Sequence, residues 1–70
     1  MKNNIFGQRI KYLRTEKNLT QKQICKIFQV SQRTISFWET GNREPDLDTI
    51  ISFADFFNVS IDFLFGKQDF

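Results

Sequence analysis

Apolar residues recur along this chain at the three- and four-residue spacing of helices, and polar or glycine punctuation divides them into five runs. Phe6, Ile10 and Leu13 form one face of a first helix over about 5–17, and Asn18 suits a left-handed end. Two shorter runs follow with nearly the same opening, Leu19-Thr20-Gln21-Lys22-Gln23-Ile24 and Val30-Ser31-Gln32-Arg33-Thr34-Ile35. In each, an apolar residue precedes a hydroxyl residue and another lies four positions beyond it, the pattern of an N-cap with a hydrophobic staple. Gln23 also completes a capping box with Thr20. These spacings predict helices over about 21–28 and 32–40, the second stopped by Gly41. A polar loop from Asn42 to Pro45 leads to a fourth helix past Asp46, with Leu47, Ile50, Ala54 and Phe57 inward and Asn58 at its end. Val59-Ser60-Ile61-Asp62-Phe63-Leu64 repeats the staple and cap for a short fifth helix closed by Gly66. No window alternates as a strand does, so the fold class is all-α.

The two similar helix starts, Thr20 and Ser31, stand eleven residues apart, which leaves a link of about three residues. Two short helices joined so tightly make a helix-turn-helix, whose second helix is free to enter a DNA major groove. Ile24, Phe28, Val30, Ile35 and Trp38 are spaced to bury the angle between them.

Composition narrows the classes. Seventy residues make one domain near the lower limit of independent folding, and nine Phe with one Trp are the means to a dense core. No apolar run approaches the ~20 residues that span a bilayer, and Met1-Lys2-Asn3-Asn4 leads into Ile5-Phe6-Gly7-Gln8-Arg9 without the apolar stretch of a signal peptide. The expectation is a cytoplasmic protein with no membrane association. One Cys excludes an internal disulfide, and the absence of His argues against a metal site. With no paired carboxylates in a plausible pocket and no glycine-rich phosphate loop, nothing suggests an enzyme, a cofactor or a small-molecule ligand. Charge is polarised along the chain. Residues 1–43 carry nine basic and two acidic residues, net +7, whereas residues 44–70 carry one basic and six acidic, net −5. A basic half joined to an acidic half favours a polyanion on one side of the molecule.

These residues resemble the Cro/repressor-type (XRE-like) helix-turn-helix regulators of bacteria and phages. The likeness covers about residues 5–66, taken as the compact core of a single domain spanning 1–70. It rests on Ile10-Lys11-Tyr12-Leu13-Arg14, Leu19-Thr20-Gln21, Val30-Ser31-Gln32, Ile35-Ser36-Phe37-Trp38-Glu39 with Gly41 and Pro45, and Val59-Ser60-Ile61-Asp62 ending at Leu64 and Gly66. It implies a five-helix, lambda-repressor-like DNA-binding domain with the helix-turn-helix at helices 2 and 3. By the same resemblance, Gln32, Arg33, Ser36 and Phe37 face base edges, Gln21, Thr34, Asn42 and Arg43 meet the sugar-phosphate backbone, and Arg14 pairs with Glu39 inside the fold. Two positions depart from the family pattern. Cys25 replaces a usual Ala where the helices approach, and Gln29 replaces a usual turn Gly.

The chemistry of these residue types agrees. Arg can bridge guanine O6 and N7, and Gln can pair with adenine N6 and N7. For Phe37, beside Trp38 and two residues past Ile35, two roles stay open: contact with a thymine methyl, or contact with a second copy of the chain. Phe53, Phe56, Phe57, Phe63, Phe65 and Phe70 crowd the C-terminal third. Either they complete a small core, or some stay exposed as a partner surface, with Phe56, Phe63 and Phe65 the expected dimer contacts. The chain ends a few residues past the fifth helix, so no appended ligand-binding domain is expected. The functional expectation is a homodimeric repressor on a pseudo-palindromic operator in double-stranded DNA. The alternative is a protein-interaction module or antitoxin-like partner built on the same fold.

Overall fold

A computed structural model describes residues 4–67, and in it each predicted helix start from α2 onward is closed by the expected side chain. Five helices occur among the described residues: α1 (Ile5–Glu16), α2 (Gln21–Phe28), α3 (Gln32–Thr40), α4 (Leu47–Phe57) and α5 (Ile61–Leu64), with no strand. Thr20 Oγ1 accepts from the Gln23 amide at 3.1 Å while the Thr20 amide donates to Gln23 Oε1 at 2.8 Å, completing the capping box. Ser31, Asp46 and Ser60 accept from the amides of Thr34, Thr49 and Phe63 at 3.0, 2.9 and 3.0 Å. The bonds from Thr49 hold the Asp46 carboxyl below the usual carboxylate range. Its contribution as a cap is therefore present at neutral pH and fades as pH falls through that lowered value.

The helix ends share one device. Asn18, Gln29 and Asn58 adopt left-handed conformations, with φ of 58°, 58° and 55°. The amides that follow them, on Leu19, Val30 and Val59, reach back to the carbonyls of Arg14, Cys25 and Ala54, each at 3.0 Å. Each of those apolar residues then precedes the cap of the next helix. One residue thus closes one helix and staples the next, which is how five helices fit into so short a chain. Gln29 keeps the left-handed turn without a glycine, at a cost of about 1–2 kcal/mol relative to Gly.

Phe53 is the centre of the core. It is fully buried, and rings from three other helices meet it: Phe6 at 6.1 Å, Phe28 at 4.2 Å and Trp38 at 5.7 Å between centroids. Ile10, Ile24, Ile35, Ile50, Ala54, Phe57, Phe63 and Leu64 are buried with it. Leu47 was expected on the inward face of α4 and is instead 65% exposed. It shares the helical phase of Ile50 but lies one turn earlier, past the edge of the core, and Phe53 takes the central place.

The tightest approach is between α1 and α3. A Cβ on Gly7 would lie 2.5 and 2.6 Å from the carbonyl oxygens of Trp38 and Glu39, and nearer still to Asn4 Oδ1. Asn4 Nδ2 donates to the Glu39 carbonyl at 3.0 Å, so the start of α1 is bonded to the end of α3. Gly7→Ala is therefore expected to destabilise the fold by about 1–3 kcal/mol, although alanine gains ~1 kcal/mol of helix propensity, because two backbone carbonyls cannot yield. Urea denaturation checks this, and a more stable variant would show that α1 and α3 have room to separate.

Candidate nucleic-acid interface

The outward surface of α3 is presented by a frame of local and buried bonds. Its start is set by the Ser31 cap, where the Ser31 and Thr34 hydroxyls are 2.9 Å apart. Its end is set by Gly41 at φ 82°, beyond which the Asn42 and Arg43 amides both donate to the Phe37 carbonyl at 2.9 and 3.3 Å. Between these ends, Gln32 and Arg33 are exposed in the first turn, and Ser36 and Phe37 are half-buried one turn on.

The orientation of α3 is fixed from behind by the Arg14–Glu39 pair. Arg14 Nε and Nη2 donate to Glu39 Oε2 and Oε1 at 2.7 and 3.1 Å, and Arg14 Nη1 donates to the Leu19 carbonyl at 2.8 Å. Gln21 Nε2 adds a bond to Glu39 Oε1 at 3.0 Å. One carboxylate thereby joins α1, the start of α2 and the last turn of α3. Both members are buried, Arg14 at 9% and Glu39 at 7% exposure, so each charge depends on the other for the solvation it has lost.

The remaining expected contacts divide. Gln21 is half-buried and already bonded to Glu39, which orients its amide at the mouth of the motif. The Thr34 hydroxyl is engaged with the Ser31 cap. Asn42 Nδ2 donates to Thr40 Oγ1 at 3.0 Å, and Thr40 Oγ1 donates to the Ser36 carbonyl at 2.8 Å, which braces the loop after α3. Arg43 is exposed in that loop. Phe37 does not simply project to solvent: the Arg33 and Arg43 guanidinium carbons both lie 5.3 Å from its ring centroid. Sequence spacing relates Arg33 to Phe37 as i and i+4. It offers no signal that Arg43 comes to the same ring.

Of the expected dimer contacts, one requires correction. Phe63 is only 8% exposed and belongs to the core, with the Arg9 guanidinium carbon 4.4 Å from its ring centroid and Arg9 Nη1 donating to its carbonyl at 3.0 Å. Phe65 is half-buried and stacks on Phe6 at 5.4 Å. Phe56 stays 37% exposed while its ring meets Phe28 and Phe57 at 5.4 and 4.9 Å. The short α5, folded back on α1, turns Phe63 inward, so the three rings do not make one exposed patch. Phe70, counted with them, lies outside the described residues. Among the described residues of this half, the large apolar side chains left most open are Leu47, Ile51, Phe56 and Ile61.

Residues 10–64 match the family model described as helix-turn-helix. The chain belongs to the helix-turn-helix family, of the Cro/repressor-type (XRE-like) kind that its motifs resemble. Over 64 residues, 91% of the chain, it is 38% identical to the HTH-type transcriptional activator BcrR of Enterococcus faecalis. It is 33% identical over 64 residues, again 91% of the chain, to the HTH-type transcriptional regulator ImmR of Bacillus subtilis. The chain spans 31% of the length of BcrR and 50% of ImmR. An uncharacterized HTH-type transcriptional regulator of Methanocaldococcus jannaschii is 38% identical over 61 residues, 87% of this chain and 92% of its own length. Among the described residues no helix is long and apolar enough to cross a membrane.

Glu39→Ala is expected to destabilise the fold by about 3–5 kcal/mol, because it strands the Arg14 charge in a desolvated place. A domain of this size has roughly 4–10 kcal/mol in all, so much of the variant should be unfolded at 37 °C. Asp55→Ala, at an exposed position of α4, should shift stability by only a few tenths of a kcal/mol, read from the denaturation midpoint. Equal shifts for the two would refute a structural role for the buried pair.

Proposed function

We propose that this chain binds double-stranded DNA with sequence preference, laying α3 in the major groove, and acts in the cytoplasm as a transcriptional regulator. The observation that carries this reading is the exposed pair Gln32 and Arg33 on the first turn of a helix whose position is locked by two caps and a buried ion pair. The first turn of a recognition helix reaches deepest toward base edges, and both side chains have the donors to read them. Ser36 and Phe37 lie one turn behind, near the same groove. Gln21, Thr34, Asn42 and Arg43 border this face and are assigned to phosphates, with Gln21 and Arg43 the principal contacts. The relatives named as transcriptional regulators support the same role. We assign repression, because occupancy of a site suffices to exclude another protein from it.

Selection of bound sequences from random duplex DNA tests the reading, since a DNA-binding regulator enriches a defined motif and an unrelated module enriches none. On the selected site, Arg33→Ala should cost roughly 1–3 kcal/mol and relax preference at one or two base pairs. Arg43→Ala should weaken all sequences about equally and lower the salt-dependence slope by about one unit. Equal losses on selected and random DNA for Arg33→Ala would remove it from base reading.

The working unit is a homodimer on a pseudo-palindromic site. One α3 touches only a few base pairs, and at ~1–3 kcal/mol for each good contact this is too little to find one site in a genome. A symmetric second copy doubles the readout with no longer chain. The joint is placed on the acidic C-terminal half, where Ile61 opens α5 at 39% exposure and Ile51 and Phe56 are exposed on α4. Sedimentation with a selected duplex should give two protomers per site, and Ile61→Lys should reduce this to one while the helical content is kept. A single protomer at saturation for the unmodified chain would reject the dimer.

A further inference from the structure

Phe37 is where the two arginines of the interface meet. Arg33 reaches its ring from one turn earlier in α3, and Arg43 from the loop beyond Gly41. Both guanidinium carbons, at 5.3 Å, are inside the ~6 Å over which an aromatic face attracts a cation. Two like charges left to themselves move apart in water, so the ring is the attractive partner that gathers them. The backbone of the same residue holds the loop: the Phe37 carbonyl accepts from the Asn42 and Arg43 amides. Among the described residues neither guanidinium donates a hydrogen bond to the protein. The N–H groups at the rim of each therefore remain available to a polyanion while the ring holds the side chain in place.

We propose that Phe37 is a positioning residue that couples base reading to backbone grip. Its ring holds Arg33 for a base edge and Arg43 for a phosphate, so both contacts depend on the same side chain. This rests on the DNA-binding reading above. It assigns Phe37 a role through the arginines rather than direct contact with a thymine methyl. The consequence is entropic. Ordering a long side chain on binding opposes affinity, and an arginine already seated on a ring has less freedom to lose.

The test uses the full chain and its selected duplex, with Phe37→Leu, Phe37→Tyr, Arg33→Ala, Arg43→Ala and the Leu-containing double variants. Phe37→Leu should lower affinity about five- to thirtyfold, with the salt-dependence slope unchanged because no charge is removed. Phe37→Tyr, which keeps the ring, should stay within about threefold of the parent. Each Arg→Ala change should cost at least about threefold less in the Leu background than in the parent. In the free protein, ring-current shifts on the Arg33 and Arg43 side-chain protons should be present in the parent and the Tyr variant and absent in the Leu variant. Denaturation midpoints identify any variant that merely unfolds. Additive arginine effects in the folded Leu variant, or absence of the ring-current shifts in the parent, would overturn the proposal. So would a Phe37→Leu loss that disappears on uracil-substituted duplex, which would assign the ring to the thymine methyl. A parent protein that selects no duplex at all overturns the DNA-binding reading, and this proposal with it. Selection with additive arginines overturns this proposal alone.

Discussion

A guanidinium and a carboxylate buried together between the first and third helices set the frame on which the outward face of this domain depends. Arg14 meets Glu39 through two parallel bonds, and its Nη1 donates to the Leu19 carbonyl in the link between α1 and α2. Gln21 holds the same carboxylate from the start of α2. Burying two charges is unfavourable unless their bonds are satisfied, and here four hydrogen bonds converge on the pair and tie together three helices. Such a network is poor evidence for extra stability but good evidence for one geometry, because a shifted α3 would leave a charge unpaired. An apolar contact in its place would tolerate sliding.

The aromatic core supplies the stabilisation that this polar network lacks. A chain this short buries little surface for its length, so a few large side chains must supply much of the contact area. Phe53 meets rings from α1, α2 and α3, and thereby fixes α4 as the floor beneath the helix-turn-helix. Gly7 lets α1 approach the backbone of Trp38 and Glu39 in the last turn of α3.

The outward face shows the opposite economy. Its caps and loop are tied by short-range bonds, while the hydrogen-bond donors of Gln32, Arg33 and Arg43 are left to solvent. A rigid backbone with free donors suits recognition, since binding then leaves the loops as they were. The left-handed Gln29 fits this picture. The turn accepts some strain, but the amide that follows it closes α2 as a glycine turn would.

What the sequence determined by itself is local. Thr20, Ser31, Asp46 and Ser60 bond to amides three residues away, and Asn18 and Asn58 end helices within their own turn. Helix bounds and the tight α2–α3 link are therefore legible in the order of residues alone. The exposure of Gln32 and Arg33 follows from their place just after a cap. The Arg14–Glu39 pair is legible only through family resemblance, since a separation of 25 residues carries no local signal. Tertiary structure alone decided which apolar positions are covered. Leu47 and Ile50 share a helical phase, yet one is exposed and the other buried, because burial depends on how far the neighbouring helix extends. In the sequence Phe53 and Phe63 are two aromatics among many; in the fold α1 and α3 close over one and Arg9 over the other. A glycine at position 7 reads locally as a weak point in a helix, and its value lies in two carbonyls more than thirty residues away. The meeting of Arg33 and Arg43 on Phe37 is of the same kind. Periodicity can bring together residues on one helix, but only the path of the chain beyond Gly41 could bring Arg43 back to that ring.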